Sequence, residues 1–321
     1  MQCIRLIAGL MASVFFLTSC QTPPQTSALL LDPPNIAKQH AIKNVPFYAQ
    51  QAFYCGPTTL AEVANFNGVA STPNAIAPLT FVPGLEGSLQ VEMLAATRTL
   101  GMVAYSQRGS MALLLRLLAD NIPVIVLQNN AIALLPQWHY AVITGYDLDA
   151  QEVIMHSVIT EDHRLNFSTF ERTWQRGNFW MLAMLPADKT SGSLEPFTYL
   201  KACQDLLDTG HERTGLEALH SAIRQWPDYW LGYFLLGNHY LPSAPQKAVE
   251  VYREGYSSAK NEALYLNNYA YALGELHCYT KAEAIILEGL VLSPDDATLQ
   301  DTQQQLLQAS KNNPDKHCGM L

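Results

Sequence analysis

"QAFYCGPTTLAEVANF", residues 51–66, places a cysteine directly before Gly-Pro and at the head of an apolar run. Leu60, Val63, Ala64 and Phe66 recur at helical spacing, and Pro57 suits a first helical turn, where the N–H it lacks has no partner anyway. Cys55 therefore falls at a helix N-terminus. There the macrodipole and unpaired amides favour negative charge, so the position predicts a lowered thiol pKa and a reactive thiolate. A thiol nucleophile also needs a base to take its proton. His139 lies 84 residues on, near the start of "WHYAVITGYD", which reads as a strand. The two need to meet only in space.

The surrounding segment, about 41–187, has its own pattern. After the Cys55 helix, "SLQVEMLAATRTLG" reads as a second helix closed by Gly101. "SMALLLRLLADN" reads as a third, leading into a buried strand at "IPVIVLQN". Two strands follow around a turn at Asp147–Gln151, and "RLNFSTFERTW" and "FWMLAMLP" close the segment. Helices first and strands later predict an α+β domain with its leading helix on an antiparallel sheet.

The chain has 321 residues, about two domains' worth. An apolar fraction of 49% is ample for two cores. Net charge is −9 with only 19 Lys and Arg, and phosphate backbones demand basic patches, so no nucleic acid is expected as partner. There is no Gly-rich loop ending in Gly-Lys, so no nucleotide is expected. No cysteine pair has metal-ligand spacing, and no metal or cofactor is expected.

At the N-terminus, Arg5 precedes an apolar run from Leu6 to Leu17, too short to span a bilayer comfortably and suited to a signal peptide, residues 1–19. It ends in Leu17-Thr18-Ser19-Cys20, which resembles a bacterial lipobox. That resemblance implies a lipid on Cys20 and, with Gln21 following, an envelope lipoprotein of the outer membrane facing the periplasm. Residues 20–40 are polar and Pro-rich, expected to be a tether that does not pack. Cys55, Cys203, Cys278 and Cys318 remain where disulfides are permitted, and their spacing fixes no pairing.

The C-terminal third repeats itself. Gly215, Ala248 and Ala282 are 33 and 34 residues apart, and Ala222, Gly255 and Gly289 repeat that spacing. A period of 34 with small residues where paired helices cross predicts tetratricopeptide repeats over 196–310, after a linker at 188–195. Residues 296–310 read as the polar-faced capping helix that such stacks need, ahead of a tail, 311–321. Cys203 falls at a packing position and Cys278 in the last inter-helix turn. Stacked repeats present a surface for a protein partner.

"VPFYAQQAFYCGPTTLAEVANFNG" resembles the bacteriocin-processing, double-glycine leader peptidases, a branch of the papain-like cysteine peptidases. The shared features are Val45-Pro46-Phe47, Gln50 and Cys55-Gly56-Pro57. "WHYAVITGYD" resembles the histidine strand of that family, and "FVPGLEGSLQVEMLAATRTLGMVAY" resembles bacterial lipoproteins that join such a peptidase to tetratricopeptide repeats. The resemblance implies Cys55 as nucleophile, His139 as general base and then acid, and Gln50, with Gln51 as its rival, in the oxyanion hole. The implied activity is hydrolysis of exported peptides or proteins, with a non-catalytic peptide-binding scaffold as the alternative. The Asp or Asn that usually orients the histidine is absent. Strand register puts Ser157 in that place; Asp147 reads as a turn residue and His156 as structural.

Overall fold

The computed structural model describes residues 22–82, 84, 87–132, 134–316 and 318. Residues 1–21, and with them the signal-like run and Cys20, lie outside the described residues. The chain divides into two compact units. One runs to Ala96 and continues with Ser106–Met184; the other is Thr97–Tyr105 with everything from Leu185 on.

The first unit is α+β. The strands are β1 (Gln39–Ala41), β2 (Val103–Arg108, of which Val103–Tyr105 count with the second unit), β3 (Val124–Asn129), β4 (Trp138–Asp147), β5 (Glu152–Ser157), β6 (Thr160–Asn166) and β7 (Trp180–Leu185, whose last residue does too). They form one sheet in the order β2-β7-β3-β4-β5-β6, with β1 pairing the end of β4. The pairings β1–β4, β3–β4, β3–β7, β4–β5 and β5–β6 are antiparallel. Strand β4 is central and buried from His139 to Tyr146, which accounts for its nearly unbroken apolar sequence.

Its helices are α1 (Pro24–Leu31), α2 (Cys55–Phe66), α3 (Pro73–Thr80), α4 (Gln90–Thr99), α5 (Met111–Ala119) and α6 (Phe167–Arg176). Helix α2 packs on β4 and is buried from Gly56 to Ala64. Helix α3 was not legible as a separate element; Thr72 caps it by accepting from the Ala75 N–H at 3.2 Å.

The Pro-rich segment 20–40, expected to be an unpacked tether, instead holds α1 and β1. Pro24 starts the helix, and Thr26 and Leu29 are buried. The physical reason is Glu171, fully buried in α6. Its carboxylate accepts from the Gln25 N–H at 2.9 Å and from the Thr26 N–H and hydroxyl at 2.5 and 2.7 Å. A buried carboxylate is tolerable only when hydrogen-bonded, and the free N–H groups of a helix start supply that. In return, the Gln25 side chain accepts from Met111 N–H at the start of α5.

The second unit is helical. Helices α7 (Pro196–Asp208), α8 (Glu212–Gln225), α9 (Leu231–Tyr240), α10 (Pro245–Ala259), α11 (Ala263–Glu275) and α12 (Tyr279–Leu292) form three successive antiparallel pairs, followed by α13 (Ala297–Asn312). Gly215, Ala222, Ala248, Gly255, Ala282 and Gly289 are all buried, as the 34-residue spacing requires. Asp296 caps α13, accepting from Thr298 N–H at 2.8 Å. Cys203 is in the core of α7, where burial pushes its thiol up. Residues 188–195 carry no helix or strand, yet Leu194 is buried and Lys189 O accepts from the Tyr199 hydroxyl at 3.3 Å. Cys278 and Cys318 form a disulfide. It draws the tail back onto the last turn, where Lys316 N–H donates to His277 O at 2.9 Å.

Glu171→Ala leaves two amides and a hydroxyl buried without an acceptor. The expected cost is about 2–4 kcal/mol in urea unfolding of the first unit, with new protease sensitivity at residues 22–38. A loose tether would show neither.

Candidate active site

A turn at Ala52 and Phe53 leads into the helix cap at Tyr54, and Cys55 is the first helical residue. Gly56 leaves no room for a side chain: a Cβ there would lie 2.4 Å from Ser88 Oγ. The Thr59 hydroxyl donates to the Cys55 and Gly56 carbonyls, both at 3.0 Å, fixing the first turn. The backbone amides of Tyr140, Gly56 and Cys55 itself lie near the thiol. They favour thiolate, as the helix N-terminus predicts, but burial outweighs them and pushes the thiol pKa up from its ordinary value. The expected resting thiolate is therefore corrected to a thiol held among amides.

His139 neighbours Tyr140 on β4, and it lines the same cavity as Cys55 although the two are 84 residues apart. Its Nε2 lies 3.1 Å from Ser157 Oγ, which leaves Nδ1 as the nitrogen not engaged by Ser157. The family resemblance, with strand register, put Ser157 near this position, and its Oγ lies there beside an irregularity in the β5–β6 pairing. No carboxylate supports the ring among its hydrogen bonds, and burial lowers its pKa to about 4. Asp147 sits at the far end of β4, where it accepts from Ala150 N–H at 2.9 Å in the turn.

Cys55 and His139 line a single cavity of about 650 Å³ with Gln50, Gln51, Ser88, Trp138 and Tyr140. Gln50 is half-buried; its amide donates to Tyr140 O at 3.5 Å and its N–H to Val158 O at 2.8 Å. Gln51 is exposed. Phe53 and Val158, also in the lining, hold left-handed φ angles of 66° and 53°. For a β-branched or aromatic residue this costs about 1–3 kcal/mol, and such strain gathers at working sites.

Two features escaped the sequence. Glu62, the one acid in α2, lies two turns after Cys55 and is fully buried. It accepts from Tyr48 N–H at 2.9 Å and faces His156 Nδ1 at 3.7 Å, joining the cysteine helix to the strand that carries Ser157. Burial pushes the Glu62 carboxyl up, and His156 draws it back down. His156 is structural, as expected. Its helical spacing from Cys55 was the signal that could have marked Glu62. The second feature is Arg176, at the end of α6 and in the cavity lining. Among the described residues no three His, Cys, Asp or Glu are grouped as a metal site.

Residues 42–179 match the Peptidase_C39 like family. A crystal structure from Bacillus anthracis described as a C39-like peptidase is similar at 17% identity over 48% of this chain and 100% of its own, with a TM-score of 0.40. The peptidase domain of Streptococcus ComA, a bi-functional ABC transporter involved in a quorum sensing pathway, is similar at 20% identity over 44% of this chain and 99% of its own, with a TM-score of 0.37. No curated protein matches the chain.

A raised thiol pKa has a direct readout. Iodoacetamide alkylation of Cys55 is expected to keep accelerating beyond the pH at which an ordinary free thiol levels off, because burial holds the thiol protonated. A rate that levels off below about pH 7.5 would mean a resting thiolate–imidazolium pair.

Proposed function

We propose that the chain is a cysteine peptidase that hydrolyses peptide bonds of exported peptides or proteins. The observation that carries this is one cavity lined both by Cys55, at a helix N-terminus, and by His139, whose Nε2 is hydrogen-bonded to Ser157. With Nε2–H donating to Ser157 Oγ, Nδ1 accepts the Cys55 proton as Sγ attacks the substrate carbonyl carbon. The oxyanion is taken by the Cys55 N–H and the Gln50 amide. His139 then gives its proton to the leaving amine, and an acyl-thioester remains on Cys55. A water, losing its proton to His139, attacks the thioester, releasing the acid and restoring the thiol.

Both partners rest neutral on this reading, so the proton moves during attack. The imidazole is already neutral above about pH 5, given a pKa of about 4. Rates are expected to be flat from there to past pH 8, without an acid limb near 6.5. The same observation favours a second reading, a peptide-binding scaffold without turnover, because Ser157 gives imidazolium no charge to lean on.

The proposed setting is the bacterial envelope, with a lipid on Cys20 holding the chain to the outer membrane on its periplasmic side. The Cys278–Cys318 disulfide suits an oxidising compartment. With α1 docked, only residues 21–23 would separate the anchor from the folded domain, about 10 Å of chain. The helical unit, as tetratricopeptide repeats, would recruit a protein partner or substrate.

Incubation with a diverse peptide mixture, read by mass spectrometry, tests the activity. Cleavage is expected from the wild type and a loss of about 10³-fold or more in Cys55→Ser and in His139→Ala. Wild-type protein that binds peptides yet never cleaves them would leave the scaffold reading in place.

A further inference from the structure

The cavity wall carries a charge that nothing in the reaction uses. Among the described lining residues there is one cation, Arg176, and no carboxylate. This is unusual on a chain of net charge −9. Arg176 Nε donates to Asn129 O at 2.9 Å. That bond engages Nε only; among the described residues no hydrogen bond from the terminal nitrogens and no carboxylate partner is seen.

The wall behind it is rigid. The next residue, Gly177, lies so close to β3 that a Cβ would sit 2.0 Å from Leu127 O. Gln128 Nε2 donates to Thr173 Oγ1 at 2.6 Å, tying α6 to β3 one turn earlier. Asn129 in turn holds the loop after β3, its Oδ1 accepting from Ala131 and Gln137 N–H, both at 3.0 Å. A guanidinium fixed in this way loses little freedom when it binds an anion. Four large apolar side chains, Phe53, Leu89, Trp138 and Val158, are each about half exposed in the lining, beside the uncharged polar Gln51, Gln90 and Asn178.

We propose that Arg176 selects the substrate, and that the segment bound here is an apolar peptide carrying one carboxylate, paired bidentately with the Arg176 guanidinium. The proposal rests on the peptidase reading only for the identity of the bound segment as a substrate; the binding preference itself does not depend on turnover. The carboxylate comes from an Asp or Glu side chain or from a free C-terminus, and the two are separable.

The test is a positional scan of an apolar Leu/Val/Ala decapeptide. Each member carries a single Asp, each has an Asn counterpart, and each is made both with a free C-terminal acid and as the amide. Affinity is measured for the full chain carrying Cys55→Ser. At one position Asp is expected to bind about tenfold more tightly than Asn, or, if the terminus is the source, the acid more tightly than the amide. The preference should persist in weakened form in Arg176→Lys, disappear in Arg176→Gln, and turn into a preference for Lys-bearing peptides in Arg176→Glu. Asp and Asn peptides, and acids and amides, that are indistinguishable throughout, including by failing to bind, would overturn the proposal. So would a preference that survives in Arg176→Gln. The same peptides given to the wild-type chain separate the two claims. Cleavage without acidic preference sinks the role of Arg176 and leaves the peptidase standing; acidic preference without cleavage does the reverse.

Discussion

Helix α2 seated on strand β4 is the contact on which the site depends. The helix brings Cys55 by its first residue, and the strand brings His139 beside the Tyr140 amide that lies near the thiol. Neither element can shift far. Gly56 is pressed against Ser88, and Glu62, buried two turns on, is held by the Tyr48 amide and faces His156. Because His156 precedes Ser157, the pair that ties the helix to the sheet also sets the residue that holds the imidazole. A packed interior transmits such constraints because it has no slack to absorb them.

Burial decides the chemistry of the site more than local dipoles do. A helix N-terminus lowers a thiol pKa, and the neighbouring backbone amides act in the same sense, yet desolvation wins at Cys55. Burial also lowers the His139 pKa, to about 4, with no carboxylate to oppose it. A serine in the third position and a neutral resting pair are therefore consistent with each other: an imidazolium that is never populated at rest needs no charged partner at rest.

Much of this was legible in the sequence because it is written in short-range patterns. The Cys-Gly-Pro helix start, the apolar histidine strand and the period of 34 each depend on neighbours within one element or one repeat. Ser157 followed from the family resemblance together with counting along a strand. What was illegible depends on distant partners. Prolines near residue 24 suggested a tether, and only Glu171, some 145 residues away, makes them a docked helix. The Cys278–Cys318 bond joins residues 40 apart that share no spacing rule. The balance of burial against nearby amides at the thiol is a property of the packed state, and no local pattern states it.

The central claim is acyl transfer through Cys55, and its most direct test is to catch the acyl group there. Protein quenched in acid during turnover of a cleavable peptide should carry, by intact mass, the residues N-terminal to the cut. Peptide mapping should place them on Cys55 as a thioester that neutral hydroxylamine removes. Product formation with no adduct on Cys55, from a sample whose cleavage persists after Cys55→Ala, would contradict the account.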